Sequence, residues 1–149
     1  MRAVVQRVRR AEVTVAGDAV ATMGAGLLAL VGVGHDDGEA EAVELARRMV
    51  HLRVFEDDAG KMNRSLADVD GTLGVVSQFT LMGDARQGRR PSFVAAARPE
   101  HAEPLVEAVV ETARGLGVAV VTGRFGADME VALLNDGPVT LLLDTEKAF

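Results

Sequence analysis

Two short stretches of this chain hold residue types that could do chemistry without a histidine, a cysteine or a metal. The first is Ser77-Gln78-Phe79-Thr80-Leu81, a polar interruption at the end of an apolar run. Ser77 and Thr80 offer hydroxyls, Gln78 an amide and Phe79 an apolar wall, and freed backbone N–H groups at a strand end could form an oxyanion site. The same residues also suit an ordinary strand end with satisfied hydroxyls, and spacing alone leaves both readings open. The second stretch is Asn135-Asp136-Gly137-Pro138-Val139-Thr140, set between Val131-Ala132-Leu133-Leu134 and Leu141-Leu142-Leu143. Asn, Asp, Gly and Pro are the residues that turns select. A tight hairpin needs only a two-residue signal, whereas here four special residues precede a β-branched pair. That excess points to a backbone shaped for more than chain reversal.

Other chemistries find little support. His35, His51 and His101 lie far apart, no pair has ligand spacing, and the 149 residues include no cysteine. No metal site and no cofactor are therefore expected. A Ser-His-Asp arrangement is equally unsupported, and the chain has no Gly-x-Ser-x-Gly elbow, P-loop or dinucleotide fingerprint.

The elements that must position the two stretches follow from periodicity. Val4 to Val8, then Val13-Thr14-Val15 and Ala19-Val20-Ala21 around Gly17-Asp18, read as a strand and a hairpin over the first 24 residues. Leu27 to Val31 is apolar without alternation, the pattern of a strand buried on both faces. His35-Asp36-Asp37-Gly38 opens a helix with Ala42, Leu45, Ala46, Met49 and Leu52 on one side. Val54-Phe55 begins another strand, residues 57–61 turn, and Leu73 to Val76 lead into the Ser77 stretch. A second helix reads from about Pro99 to Leu116. Pro104 is tolerable only in a first turn, so the helix should start at about 100 or later. Val118–Val121, Glu130–Leu134 and Val139–Leu143 read as three closing strands. The expectation is one domain, 1–149, of the α/β (α+β) class: two helices on a mostly antiparallel or mixed sheet, with a second layer of sheet or a second subunit the natural cover for the remaining apolar face.

Composition agrees with a soluble globular chain, at 48% hydrophobic and 26% charged residues. The longest apolar run, Ala25 to Val33, is far short of the roughly 20 residues a membrane span needs, so no membrane partner is expected. The N-terminus reads as a strand and not a leader, and a cytoplasmic location is the default. The net charge of −6 argues against bulk electrostatic binding of nucleic acid, DNA included. Distribution says something different, because Arg2, Arg7, Arg9 and Arg10 fall in one acid-free run and Arg86, Arg89, Arg90 and Arg98 in another. Either run can be a plain solvated face. Only proximity in the fold would join them into a phosphate-binding patch.

Together, Ser77-Gln78-Phe79-Thr80-Leu81 and Asn135-Asp136-Gly137-Pro138-Val139-Thr140 resemble the two signature motifs of the D-aminoacyl-tRNA deacylases, also called D-tyrosyl-tRNA deacylases. Val5-Gln6-Arg7-Val8, Gly88-Arg89-Arg90-Pro91-Ser92-Phe93 and Thr122-Gly123-Arg124-Phe125 resemble further stretches of that family in the right order. The resemblance implies a homodimer whose sheets are completed across the two subunits and whose active sites are each completed by the partner's Gly-Pro, with a cis peptide. It implies that Gly137 and Pro138 form a chiral filter and that Arg7 helps to hold them. Ser77, Gln78, Phe79 and Thr80 would line the catalytic pocket, and Arg86, Arg89 and Arg90 are candidates for tRNA contact.

The substrate so implied is an amino acid esterified to the terminal ribose of tRNA. L and D isomers differ only by exchange of hydrogen and side chain at one carbon, so rejection has to be steric. A backbone wedge does this for any side chain, excluding L residues and admitting D residues and glycine. Hydrolysis could proceed by attack of Thr80, although its motif holds no base to take the proton. The family offers assistance by the 2′-hydroxyl of the terminal adenosine instead. Competing expectations are a non-catalytic RNA-binding module, for which five Phe with no Trp or Tyr is a poor supply of stacking rings, and a small-molecule esterase that ignores RNA.

Overall fold

A computed structural model describes all residues, 1–149. Its frame is β1 (Arg2–Val15), a strand of 14 residues that is paired along both edges. On one edge β3 (Gly26–Gly32) pairs with its first half and β2 (Asp18–Met23) with its second, both antiparallel. On the other edge runs β8 (Glu130–Asp144), antiparallel from Arg2↔Asp144 to Thr14↔Glu130. The sheet continues from β3 through β6 (Thr72–Ser77) to β7 (Ala119–Thr122), both parallel to their inner neighbours. Between these lie α1 (Glu39–His51), the short hairpin β4 (Phe55–Glu56) and β5 (Met62–Arg64), and α2 (Pro99–Gly115).

Local chemistry explains the joints. Val15 and Asp18 face each other across Ala16 and Gly17, whose φ values of 49° and 86° supply the two left-handed positions a type I′ hairpin needs. In α1, Glu41 turns back to accept from the Gly38 N–H at 2.8 Å, which occupies one of the free donors at the helix start.

The sheet has two apolar faces, as its non-alternating strands require. Ala3, Val5, Leu27, Ala29 and Val31 pack beneath α1 and α2 against Leu45, Met49, Val109 and Val110. Removing one of these, as in Leu45→Ala, would cost about 2–5 kcal/mol. The opposite face curls so that β2 comes up to β7, making the sheet nearly a barrel around Val8, Val13, Leu28 and Val76. Gly74 permits that curl, since a Cβ there would lie 2.7 Å from Met23 Sδ. No helix is long and apolar enough to cross a membrane.

Three expectations are corrected. The segments at 130–134 and 139–143 are one strand, β8, because β1 pairs with both and carries the chain through the Gly-Pro stretch. Pro104 lies beyond the first turn of α2, since Pro99 takes the N1 position; the acceptor it leaves unused is the carbonyl of exposed Glu100. Met62–Arg64 adds a strand, β5, to the turn read at 57–61.

Candidate active site

Within β8 the Gly-Pro stretch is a large bulge. Arg10 pairs with Leu134 and Gln6 with Thr140, so five residues of β8 stand opposite three of β1. The surplus projects as Asp136, Gly137, Pro138 and Val139, with a cis peptide between Gly137 and Pro138. Asn135 closes its base: its Oδ1 accepts from the Val139 N–H at 2.8 Å and its Nδ2 donates to the Val139 carbonyl at 3.1 Å. Thr140 Oγ1 accepts from Gln6 Nε2 at 3.3 Å.

Arg7 holds the bulge from below. Its side chain is buried, with Nε donating to the Asp136 carbonyl at 2.8 Å and Nη1 to the Val54 carbonyl at 2.6 Å. One rigid guanidinium thus ties the bulge to the chain entering β4. Gly137 has φ of +149°, and a Cβ there would meet Val139 Cγ2 at 2.6 Å and Arg7 Nη2 at 3.3 Å. Gly137 and Pro138 themselves stay exposed, above an open cleft that Arg9, Glu56 and Met62 also line.

The other stretch lies where β6 ends. Ser77 is its last residue, the Gln78 N–H donates to the Val31 carbonyl at 2.7 Å, and Phe79–Met82 form a single 3-10 turn. That turn is seated on Gly32, where a Cβ would come within 3.0 Å of Leu81 Cβ and 3.1 Å of the Gln78 carbonyl. Thr80 Oγ1 accepts from Gln78 Nε2 at 2.9 Å and has no basic side chain or carboxylate as a partner. Phe79 is 59% exposed and packs edge-to-face with Phe93, the ring centroids 5.3 Å apart. Phe79 and Thr80 open the turn, where a helix leaves its first N–H donors unused.

The two stretches are not brought together within one chain. The turn sits beside Gly32, which pairs with Arg2, whereas the bulge lies over Arg7. These positions are five residues apart on β1, about 17 Å along the strand. Meanwhile the outer edge of β8 is unpaired, and Leu133, Leu134, Leu141 and Leu142 are exposed along it. A long apolar open edge of this kind is unusual in an isolated chain.

The arginine runs divide. Arg7 is buried, while Arg9 shares Asp136 at 3.4 Å. Asp84 and Ser92 bridge the base of the second loop, and Arg86 there forms a two-pronged pair with Asp84 at 2.9 and 2.7 Å. The paired guanidinium holds the Asp84 carboxyl at about 2, well below the usual carboxylate range, and Arg86 is raised in turn. Arg89 and Arg90 at the tip are exposed without an ion pair, and Arg98 pairs with Glu100 at 2.9 Å. Periodicity did not indicate the Val54 carbonyl, Glu56 or Met62 as neighbours of the Gly-Pro stretch, because they arrive on a hairpin whose second strand is only three residues long.

Comparison with known proteins identifies similar chains. The family model described as D-Tyr-tRNA(Tyr) deacylase matches residues 4–144. A D-aminoacyl-tRNA deacylase from Thermomicrobium roseum is 60% identical over 97% of this chain and 94% of that protein. A solved structure titled c-Myc DNA Unwinding Element Binding Protein is 39% identical, with a TM-score of 0.91 over 97% of this chain and 99% of its own. Another, titled as a probable eukaryotic D-amino acid tRNA deacylase, shares the fold at 16% identity, with a TM-score of 0.81 over 95% of this chain and 97% of its own.

Proposed function

The chain belongs to the D-Tyr-tRNA(Tyr) deacylase family, and from that premise we propose how its parts perform the reaction. The protein is a hydrolase that cleaves the ester bond of D-aminoacyl-tRNA, releasing free D-amino acid and tRNA. The working unit is a homodimer formed through the open β8 edge. Each pocket, lined by Ser77, Gln78, Phe79 and Thr80, receives Gly137 and Pro138 of the partner subunit as its chiral wedge. The observation that carries this reading is the separation of the two stretches along β1, with the bulge standing on an exposed apolar strand.

The wedge works by backbone. Gly137 lets the chain approach the substrate's α-carbon without a side chain of its own, and Arg7 fixes the approach by gripping the carbonyl before it. An L side chain would run into the wedge, while a D side chain points away from it and glycine has none. Glycyl-tRNA is accordingly a second substrate. Thr80 receives a hydrogen bond from Gln78 and lacks a base, which favours the route in which the terminal 2′-hydroxyl of tRNA assists. The N–H groups of Phe79 and Thr80 then face the developing oxyanion. Arg89 and Arg90 are the free cations for the tRNA backbone, with Arg86 already engaged by Asp84. A tRNA substrate places the work in the cytoplasm.

A non-catalytic nucleic-acid module has less in its favour, since the net charge is −6 and the Phe79 and Phe93 rings pack against each other. The deciding measurement is release of D- against L-amino acid from charged tRNA, with a simple amino-acid ester alongside. D-selective release from tRNA is expected; absence of stereoselectivity, or preference for the simple ester, would overturn the reading.

A further inference from the structure

We infer that Arg2 is a positioning residue for this reaction, holding the 79–82 turn through the Leu81 carbonyl with Asp144 as its anchor; the inference rests on the functional reading above. Arg2 and Asp144 are register partners at the ends of β1 and β8. Arg2 Nη1 donates to the Leu81 carbonyl at 3.3 Å and its Nε to Asp144 Oδ2 at 3.4 Å.

The anchor is itself fixed. Asp144 is 2% exposed, its Oδ1 accepts from the Glu146 N–H at 3.0 Å, and its carbonyl accepts from Arg48 Nη1 at 2.8 Å. The turn's other ties are the Gln78 N–H to Val31, the Gly32 seat, the Gln78–Thr80 side-chain bond at 2.9 Å, the Phe79–Phe93 ring contact, and backbone bonds that include Leu81 N–H to Gln78 O at 3.3 Å and Gly83 N–H to Thr80 O at 3.0 Å. Among all of these ties, Arg2 is the only charged side chain. The Leu81 carbonyl belongs to the residue directly after Thr80. The grip of Arg2 therefore sets the orientation of the segment whose N–H groups and hydroxyl face the substrate. Arg2 is partly solvated, so the pair adds little to stability. Its effect is geometric, and displacement of about 1 Å in a positioned group can cost on the order of a hundredfold in rate.

The arrangement gives β8 two duties. Its middle presents the wedge to the partner's pocket, and its end, through Asp144 and Arg2, steadies the pocket of its own chain.

The test is single-turnover and steady-state deacylation of D-aminoacyl-tRNA by the full chain, with thermal melting in parallel. Arg2→Met is expected to lower kcat by about ten- to a hundredfold while KM stays within about threefold, the split of a group acting on positioning rather than substrate affinity. Arg2→Lys, which can still reach one oxygen, should recover most of the rate. Asp144→Asn should act in the same direction, and the double variant should be no slower than the slower single one. The inference is overturned by an unchanged kcat in Arg2→Met, by a loss confined to KM, or by a loss that follows a lowered Tm and is shared by Arg2→Lys. Should Arg2→Met not fold, Asp144→Asn with Arg2→Lys decides on the same readouts. Wild-type protein inactive on D-aminoacyl-tRNA would instead overturn the functional reading, so the two failures are distinct.

Discussion

Arg7 Nε donates to the carbonyl of Asp136 at 2.8 Å, across 129 residues of sequence, and the same guanidinium serves the Val54 carbonyl at 2.6 Å. Arg7→Ala leaves both carbonyls without their charged donor in a buried place, a loss of about 3 kcal/mol. Denaturant unfolding should register that loss, and deacylation assays should show L-aminoacyl-tRNA admitted. Arg7→Lys should restore part of the stability but not the selectivity, because an ammonium lacks the fork that spans both acceptors. Unaltered exclusion of L substrate by Arg7→Ala would separate Arg7 from the filter.

Gly137→Ala tests the wedge itself. A Cβ there meets Val139 Cγ2 at 2.6 Å, and the φ of +149° is one that L side chains rarely adopt. The bulge must shift, so release from L-aminoacyl-tRNA should rise by about tenfold or more, equivalent to about 1.4 kcal/mol of lost discrimination. Preserved discrimination would place the wedge elsewhere.

Thr80→Ala removes a hydroxyl that Gln78 engages and no base activates. If the 2′-hydroxyl of tRNA assists, the variant should keep activity within about tenfold of wild type. A fall of several orders of magnitude with binding intact would make Thr80 the nucleophile.

Leu142 is 57% exposed and Leu134 46% exposed on the open edge of β8. Replacing both with Lys should leave the single chain folded while sedimentation reports a monomer, and if the partner's Gly137 and Pro138 complete each pocket, discrimination of D from L substrate should be lost with the dimer. A monomeric variant with full selectivity would refute the shared site.

Asp84 offers a test of which arginines are free. Its folded-state value of about 2 lies below the ordinary 3.8, so whatever its pairing with Arg86 contributes is complete above about pH 4 and fades as pH falls through about 2. The carboxyl carbon, followed by NMR, should titrate near that low value, and Arg86→Ala should return it toward 3.8. For the same reason Arg89→Ala and Arg90→Ala should weaken tRNA binding more than Arg86→Ala.

Much of the frame was legible because its signals are local. Leu27 to Val31 carries no alternation, and the strand is buried on both faces; Ala42, Leu45, Ala46 and Met49 recur at helical spacing, and they face the core. What escaped is set by pairing at long range. Residues 135–139 have turn chemistry, yet β1 pairs with Asn135 and with Thr140 on either side of residues 136–139 and overrules it. Likewise the candidate site residues stand out by type and by resemblance, but their neighbours do not. Nothing in local pattern says that Arg7 reaches Val54 across 47 residues, or that Arg86 is already occupied by Asp84.

The bulge in β8 also limits how the length of this chain can change. Between Arg10↔Leu134 and Gln6↔Thr140 the bulged strand carries two residues more than β1, an even surplus that leaves both arms with matching faces. Because strand side chains alternate with a period of two, losing one residue from 136–139 would exchange the faces of everything after it, turning buried Leu143 outward and displacing Asp144 from its place beside Arg2. Loss of two would remove the projection and keep the alternation. Deletions here are therefore expected to be tolerated by the fold only in even numbers, and the shortest one it tolerates already removes the Gly137-Pro138 projection.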